Sequence, residues 1–358
     1  MALTVLMNAG PWLPLPPREY GGIEAVVSSL VAELRRRGVR VILATVGEST
    51  LEADGYVTVF DEGQFAEIAT PYNRAMGIAH AHMQAVVGAL GGDLGIDLVH
   101  DHLEVVGPSV LGALGRGAPP ALQTLHWNLR KHPHFYESFD GRGRVCFAGV
   151  SPRQVELAPQ RLRDQVLAAV PLGVPVADYA PPNGDRDDYL LTLARVTEDK
   201  GQDIAARLCR AGGHELVMAG PLADVDASYY RERVQPFEDD RRRWIGAVAG
   251  EPKQELLSRA RALLCPIRWE EPGGTAVIEA LASGTPVIGF RRGCMSLLVE
   301  HGVTGFLAET EEELAGYLDR VDEIEPAACR RAAEERFSSG AMAERYLSLY
   351  DELIERAA

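Results

Sequence analysis

The chain has 358 residues, 46% apolar and 24% charged, which is globular composition and long enough for two hydrophobic cores. Its formal net charge of −15 excludes a basic nucleic-acid face, and the split is uneven: −3 over residues 1–172 (14 Lys+Arg against 17 Asp+Glu) and −12 over 173–358 (22 against 34), so membrane contact is at most peripheral. No apolar run is long enough to span a bilayer, and the five cysteines (Cys146, Cys209, Cys265, Cys294, Cys329) lack C-x-x-C spacing, which reads as free thiols in the cytoplasm.

The first segment has no basic leader, and Thr4–Met7 predicts a strand. After a Gly/Pro-rich loop, Ile23–Arg37 predicts a helix with Val26, Val27, Leu30, Val31 and Leu34 on one face, closed by Gly38. Its basic end, Arg35-Arg36-Arg37, reads as a solvated helix C-terminus. Strands are expected at 39–45, 56–60, 97–100, 121–125 and 145–150, and helices at 72–89 and 152–158. A Pro/Asn/Gly cluster over 171–188 marks a boundary. The rhythm then restarts: strands at 189–194, 215–219, 243–245, 262–266 and 286–290 alternate with helices at 202–211, 228–235, 253–260 and 275–282. Helices at 326–336 and 341–356 end the chain. Alternating β–α units imply α/β architecture, with two parallel sheets covered on both faces. The expected domains are 1–172, 173–336 and a final helical segment, 337–358, that crosses back to the first.

Open α/β sheets bind ligands beyond the carboxyl ends of their strands. One segment there stands out: Glu271-Pro272-Gly273-Gly274-Thr275-Ala276-Val277-Ile278-Glu279, with two glutamates eight residues apart. Gly273 and Gly274 let backbone approach a ligand, and the helix they open offers unpartnered amides to an anion such as a diphosphate. Glu279, a turn further on, is within reach of ribose hydroxyls. By spacing alone, an ordinary helix with an acidic flank fits equally well.

Together with Ala280-Leu281-Ala282-Ser283-Gly284-Thr285-Pro286-Val287, this segment resembles the E-x7-E signature of glycosyltransferase family 4 (group 1), retaining enzymes of GT-B architecture. Gly273 departs from the pattern, which has an aromatic residue there. The resemblance implies two Rossmann-like, doubly wound domains facing each other across a cleft. It implies Glu279 on the donor ribose, Glu271 beside the transferred sugar, and Gly273, Gly274 and Thr275 at sugar or phosphate. Ala194-Arg195-Val196-Thr197-Glu198-Asp199-Lys200-Gly201 resembles the family's G-R-x4-K-G stretch, with Ala194 in place of glycine, so Arg195 and Lys200 are expected to grip the departing diphosphate in place of a metal. Lys200 is one of only three lysines among 36 basic residues. Tyr20-Gly21-Gly22 matches the family's glycine pair on the phosphate or acceptor.

The same resemblance makes His126, at a strand end, a donor-sugar contact that steadies charge at C1, and sets Asp101 and His102 of His100-Asp101-His102 on the acceptor side. His132-Pro133-His134 is either acceptor-side or exposed. Gly246 of Trp244-Ile245-Gly246 falls beside the base. Arg292-Gly293 falls in a Gly-Gly-x-Pro-Glu element, but with Met295-Ser296 for Pro-Glu. Gly173-Val174-Pro175 resembles the stretch at the domain join, with Leu172 for Asn. Asp185-Arg186-Asp187 and Asp224-Val225-Asp226 read as solvated surface, not metal sites.

The expected activity is metal-independent, retaining hexosyl transfer from a nucleotide sugar (UDP- or GDP-linked) to a small-molecule or oligosaccharide hydroxyl, with no cofactor. An epimerase or phosphorylase of similar fold, and a non-catalytic nucleotide-sugar binder, are the alternatives.

Overall fold

The structure, a computed structural model, describes residues 2–18, 21–69, 72–180 and 186–357. Tyr20 of the glycine-pair motif, Asp185 of one D-x-D triplet and residues 181–184 of the boundary cluster lie outside them. The chain divides into two compact units, the first running to Leu172 and resuming at Ser339, the second spanning Gly173–Ser338.

The first unit holds seven parallel strands, β1 (Thr4–Asn8), β2 (Arg40–Ala44), β3 (Gly55–Val57), β4 (Leu98–Asp101), β5 (Ala121–Leu125), β6 (Val145–Gly149) and β7 (Val166–Ala169), in the order β3-β2-β1-β4-β5-β6-β7. The order reverses between β1 and β4, which pair from Val5↔Leu98 to Asn8↔Asp101. Asn8 and Asp101 thus end neighbouring strands at the reversal point, the kind of place where open α/β sheets take ligands. The strands are continuous apolar runs because helices cover both faces. In the Gly22–Arg36 helix, Val27, Leu30, Val31 and Leu34 are fully buried, and emptying one such site to alanine costs roughly 2–5 kcal/mol. Its basic end is ion-paired with Glu33, Glu52 and Asp54. The last helix, Ser339–Ala357, packs on Gly22–Arg36 and plants the Tyr346 and Tyr350 hydroxyls on Thr124 and His100.

The second unit holds six parallel strands, β8 (Tyr189–Leu193), β9 (Glu215–Ala219), β10 (Arg242–Trp244), β11 (Ala262–Cys265), β12 (Val287–Phe290) and β13 (Gly305–Ala308), ordered β10-β9-β8-β11-β12-β13. Its order reverses between β8 and β11, where Leu190↔Ala262 and Leu191↔Leu263 pair. Leu190, Leu216, Ala262, Leu264 and Ile288 join Ala205, Ala206 and Cys209 of the Gln202–Gly212 helix in one core.

Some expectations change in detail. The 56–60 strand shrinks to Gly55–Val57 because its partner β2 ends at Ala44. The 228–235 helix breaks into one α turn, a π turn and a 3₁₀ turn. No element is expected between 101 and 120, yet Val106–Ala113 is a helix whose Pro108 falls in the first turn, where proline is tolerated. Also unforeseen are β7, β13 and the Glu311–Leu318 helix. That helix carries a legible capping signal, since the Thr310 hydroxyl accepts from the Glu313 amide and Glu313 accepts from the Glu309 amide. Among the described residues, no helix is long and apolar enough to cross a membrane.

Candidate functional site

The loops that leave β8 and β11 meet at the strand reversal of the second unit. Gly201 (φ +72°) closes the Glu198–Lys200 turn, and a Cβ there would lie 2.1 Å from the Pro266 carbonyl oxygen. The two backbones therefore touch, and only glycine fits. Arg268 ties the loops further: its amide donates to the Asp199 carbonyl (2.8 Å) and its guanidinium grips Asp203 at 2.6 and 2.7 Å. Burial pushes the Asp203 carboxyl up, but hydrogen bonds from Arg268 and Tyr229 outweigh it and leave the group below the usual range.

This clamp brings Lys200 onto Glu271. The ammonium ion-pairs with the carboxylate and lies 5.3 Å from the centre of the Trp269 ring, with side-chain exposures of only 19% and 16% for the pair. Arg195, just past β8, is exposed and its side chain makes no hydrogen bond or ion pair among the described residues; its carbonyl accepts from Gln202 (2.8 Å). Cys265 and Cys294 flank the pair, but burial drives the first thiol up to about 12 and the second well up, so neither is a nucleophile.

Gly274 (φ +63°) starts the Thr275–Ala282 helix without a side-chain cap. Its carbonyl accepts from Val277 and Ile278, while the Gly273, Gly274, Thr275 and Ala276 amides find no protein acceptor among the described residues. A helix end left open in this way suits an anion. The turn after β12 fixes the loop from behind: the Cys294 amide donates to the Glu271 carbonyl (2.7 Å), the Gly293 amide to the Glu270 carboxylate (2.8 Å), and Arg292 to the Ile267 carbonyl. The motif at 292–293 is thus a buttress, with Met295 and Ser296 in a short helix beyond it.

Glu279 is 6% exposed and takes a 2.7 Å hydrogen bond from Lys253, while burial and Glu279 together hold the Tyr179 hydroxyl far above its ordinary range. Lys253 and Tyr179 were missed as site residues, as was Trp269; the rarity of lysine was the one available signal for Lys253. Gly246 (φ +83°) follows β10, its carbonyl accepting from the Gly220 amide, and Trp244 donates its indole N–H to the Gly220 carbonyl (2.9 Å). Asp224–Asp226 is an exposed turn, with Val225 84% accessible, and Asp187 is paired with Arg259.

In the first unit, Gly21 and Gly22 open the Gly22–Arg36 helix, again without a side-chain cap. A Cβ at Gly21 would lie 2.6 Å from Pro17 Cβ, whereas Gly22 faces open space. Glu24, one turn on, is buried and raised by desolvation. Asp101 is fully buried, accepting from Asn8 (2.6 Å), Gln123 (2.7 Å) and the Leu103 amide, so it staples strand ends. His102 is 4% exposed, between Met7 and His126, and reaches a ligand only through His126. His126 itself is partly exposed, and burial lowers its ring to about 3. At neutral pH it carries no charge, so any help it gives to a cationic centre is dipolar. His134 is exposed and His132 lies 3.4 Å from Glu104.

A paired cation (Lys200), an exposed cation (Arg195) and an uncapped helix end thus stand in adjoining loops, a pattern that suits an anion, with the buried Glu279 carboxylate further along the same helix. Two family models match the chain: "Glycosyltransferase Family 4" over residues 20–147 and "Glycosyl transferases group 1" over 180–336. The sucrose synthase of Acidithiobacillus caldus is 29% identical over 252 residues; these cover 59% of this chain but 32% of that enzyme, so the chain spans about a third of the relative's length. AviGT4, a glycosyltransferase involved in avilamycin A biosynthesis, superposes with TM-score 0.69 and 26% identity, covering 99% of this chain and 98% of its own. HepE of Anabaena, solved with UDP and glucose, shares the fold at TM-score 0.70 and 17% identity, covering 98% and 100%.

Proposed function

Because the chain belongs to the glycosyltransferases of group 1 and family 4, with GT-B structural neighbours, we propose that it transfers a hexose from a nucleoside-diphosphate sugar to a hydroxyl with retention of anomeric configuration and without a metal ion. One observation carries this reading: Lys200, Glu271 and the open helix start at Gly274 share one pair of interlocked loops at the strand reversal of the second unit.

In this reading the diphosphate rests on Arg195, Lys200 and the amides of residues 273–276, while Glu279 accepts from the ribose diol. The C1–oxygen bond breaks with its electron pair going to the diphosphate, whose growing charge these preorganised groups stabilise. The acceptor oxygen attacks C1 from the leaving-group face, and its proton passes to a phosphate oxygen of the departing nucleotide. Glu271 orients the sugar and forms no bond to it. Lys200 exchanges its salt bridge with Glu271 for the phosphate, which leaves Glu271 free to accept from sugar hydroxyls. Acceptor recognition falls to the first unit, and the family resemblance keeps His126 on the donor sugar and Gly21–Gly22 on phosphate or acceptor.

The UDP-bound structural neighbour supports a UDP-sugar donor, with GDP-sugars as the other candidates, and the neighbour involved in avilamycin A biosynthesis supports a small-molecule or oligosaccharide acceptor. Five free thiols support action in the cytoplasm. A panel of UDP-, GDP- and ADP-sugars scored by thermal shift identifies the donor, since tight binding raises the melting temperature by mass action. NMR of the product's anomeric centre then tests retention. An inverted product, or nucleotide turnover that never depends on an acceptor, would reject the proposal.

A further inference from the structure

We propose that Met7 and His102 lock His126 in one tautomer, making its Nδ1 a standing hydrogen-bond acceptor that receives a ligand hydroxyl at the carboxyl end of the first sheet. Met7 Sδ lies 3.2 Å from His102 Nε2. A thioether has lone pairs and no proton, so this contact is favourable only if Nε2 carries the hydrogen. A neutral imidazole has one N–H, which leaves His102 Nδ1 bare. That bare nitrogen is 2.8 Å from His126 Nε2, so it accepts, and His126 Nε2 must be the donor. The proton of His126 is thereby assigned, and its Nδ1 is left with a lone pair and no protein partner among the described residues.

Both rings must stay neutral for this chain to hold. His102 is 4% exposed and sits against the buried His100, ring centroids 4.2 Å apart. His100 is itself spent on the Tyr350 and Thr124 hydroxyls. The carboxylate next to His102 in sequence, Asp101, is turned to Asn8, Gln123 and the Leu103 amide, and gives neither ring a counter-charge. Burial accordingly lowers His102 well below its ordinary range and His126 to about 3. Met7, His100 and His102 are enclosed while His126 is partly exposed, so the relay starts in the core and ends where a ligand can reach.

A bare Nδ1 selects its partner. It accepts from O–H or N–H donors and repels carboxylate or phosphate oxygens, so on a sugar ligand the group it meets is a hydroxyl. Met7 and His102 are positioning residues; His126 alone meets substrate. The tautomer assignment stands apart from the transfer reading, whereas the role of the hydroxyl rests on it.

Long-range ¹H–¹⁵N correlation on the full chain, labelled with ¹⁵N-histidine, reads the assignment directly. The expected spectrum shows His126 as a single neutral tautomer protonated at Nε2 at neutral pH. A proton on Nδ1, or an imidazolium, overturns the proposal whatever the activity. Met7→Leu conserves volume but removes the sulfur acceptor. It should mix the tautomers of both rings and lower turnover about tenfold, the usual scale for losing a partner that orients a functional histidine, with the affinity for UDP unchanged. Unaltered histidine spectra and turnover in that variant would also overturn it. If the wild-type spectrum is as expected but no sugar donor turns over, the transfer reading fails and the tautomer assignment stands.

Discussion

Lys200→Ala separates the proposed chemistry from the fold. The ammonium makes one ion pair, with Glu271, and covers the Trp269 ring. Removing one partner of a fully enclosed pair costs roughly 3–5 kcal/mol. Glu271 keeps 16% of its side-chain surface, so water relieves part of that cost, and a loss of about 1–2 kcal/mol is expected. In a unit of this size that lowers the melting temperature by roughly 2–8 °C. The kinetic effect should be larger: deleting one preorganised donor to a developing oxyanion costs about 10²–10³ in kcat. The double variant Lys200→Met with Glu271→Gln removes both charges, so it should recover most of the lost stability and none of the activity. Calorimetry gives the first quantity and an assay of nucleoside-diphosphate release gives the second. Turnover within about twofold of wild type in Lys200→Ala, or activity restored along with stability in the double variant, would refute the reasoning.

Lys253→Met should raise KM for the donor about tenfold with little change in kcat, because it frees Glu279 from the contact that sets its carboxylate; initial rates check this split. Gly293→Ala should be inactive and destabilised by roughly 2 kcal/mol or more, since its Cβ would lie 2.2 Å from the Glu271 carbonyl oxygen at φ +57°; denaturant melts and turnover read both effects. Asp101 titrates near 7 when folded, raised from 3.8 mainly by burial. Over that interval the folded state holds a proton that the unfolded state has lost, so this group's contribution to stability is full below about pH 4 and is lost as pH climbs toward 7. Asp101→Asn lacks that loss, so in paired melts its stability relative to wild type should rise as pH climbs from about 4 toward 7, a difference the buried histidines do not alter. Turnover should survive EDTA; complete loss restored by manganese would contradict cation-assisted departure.

The α/β class and the reversal-point motifs were legible because they rest on local rules. The apolar runs of β1, β8 and β11 announce buried parallel strands, and Gly201 and Gly274 mark turns that need positive φ. The Thr275–Ala282 and Pro326–Arg336 helices have the bounds expected from their patterns. What escaped depends on partners distant in sequence. Asp101 looks like an active-site carboxylate at a strand end, but Asn8 and Gln123, 93 and 22 residues away, absorb it. Gly107 records the same packing: a Cβ there would lie 2.1 Å from Asp101 Oδ2. Lys253 and Tyr179 meet Glu279 only through the sheet order, and the direction of the His102–His126 bond depends on a methionine 95 residues before His102. Strand β3 was overdrawn because its length is set by its neighbour, not by its own β-propensity.

The diphosphate receptor is the centre of this account, and a crystal structure of the protein with bound UDP or GDP tests it most directly. The pyrophosphate should lie within hydrogen-bonding distance of Arg195, Lys200 and the amides of residues 273–276, with Lys200 drawn off Glu271 and the ribose diol on Glu279. A nucleotide bound elsewhere, or one whose phosphates leave the Lys200–Glu271 pair intact, would contradict it.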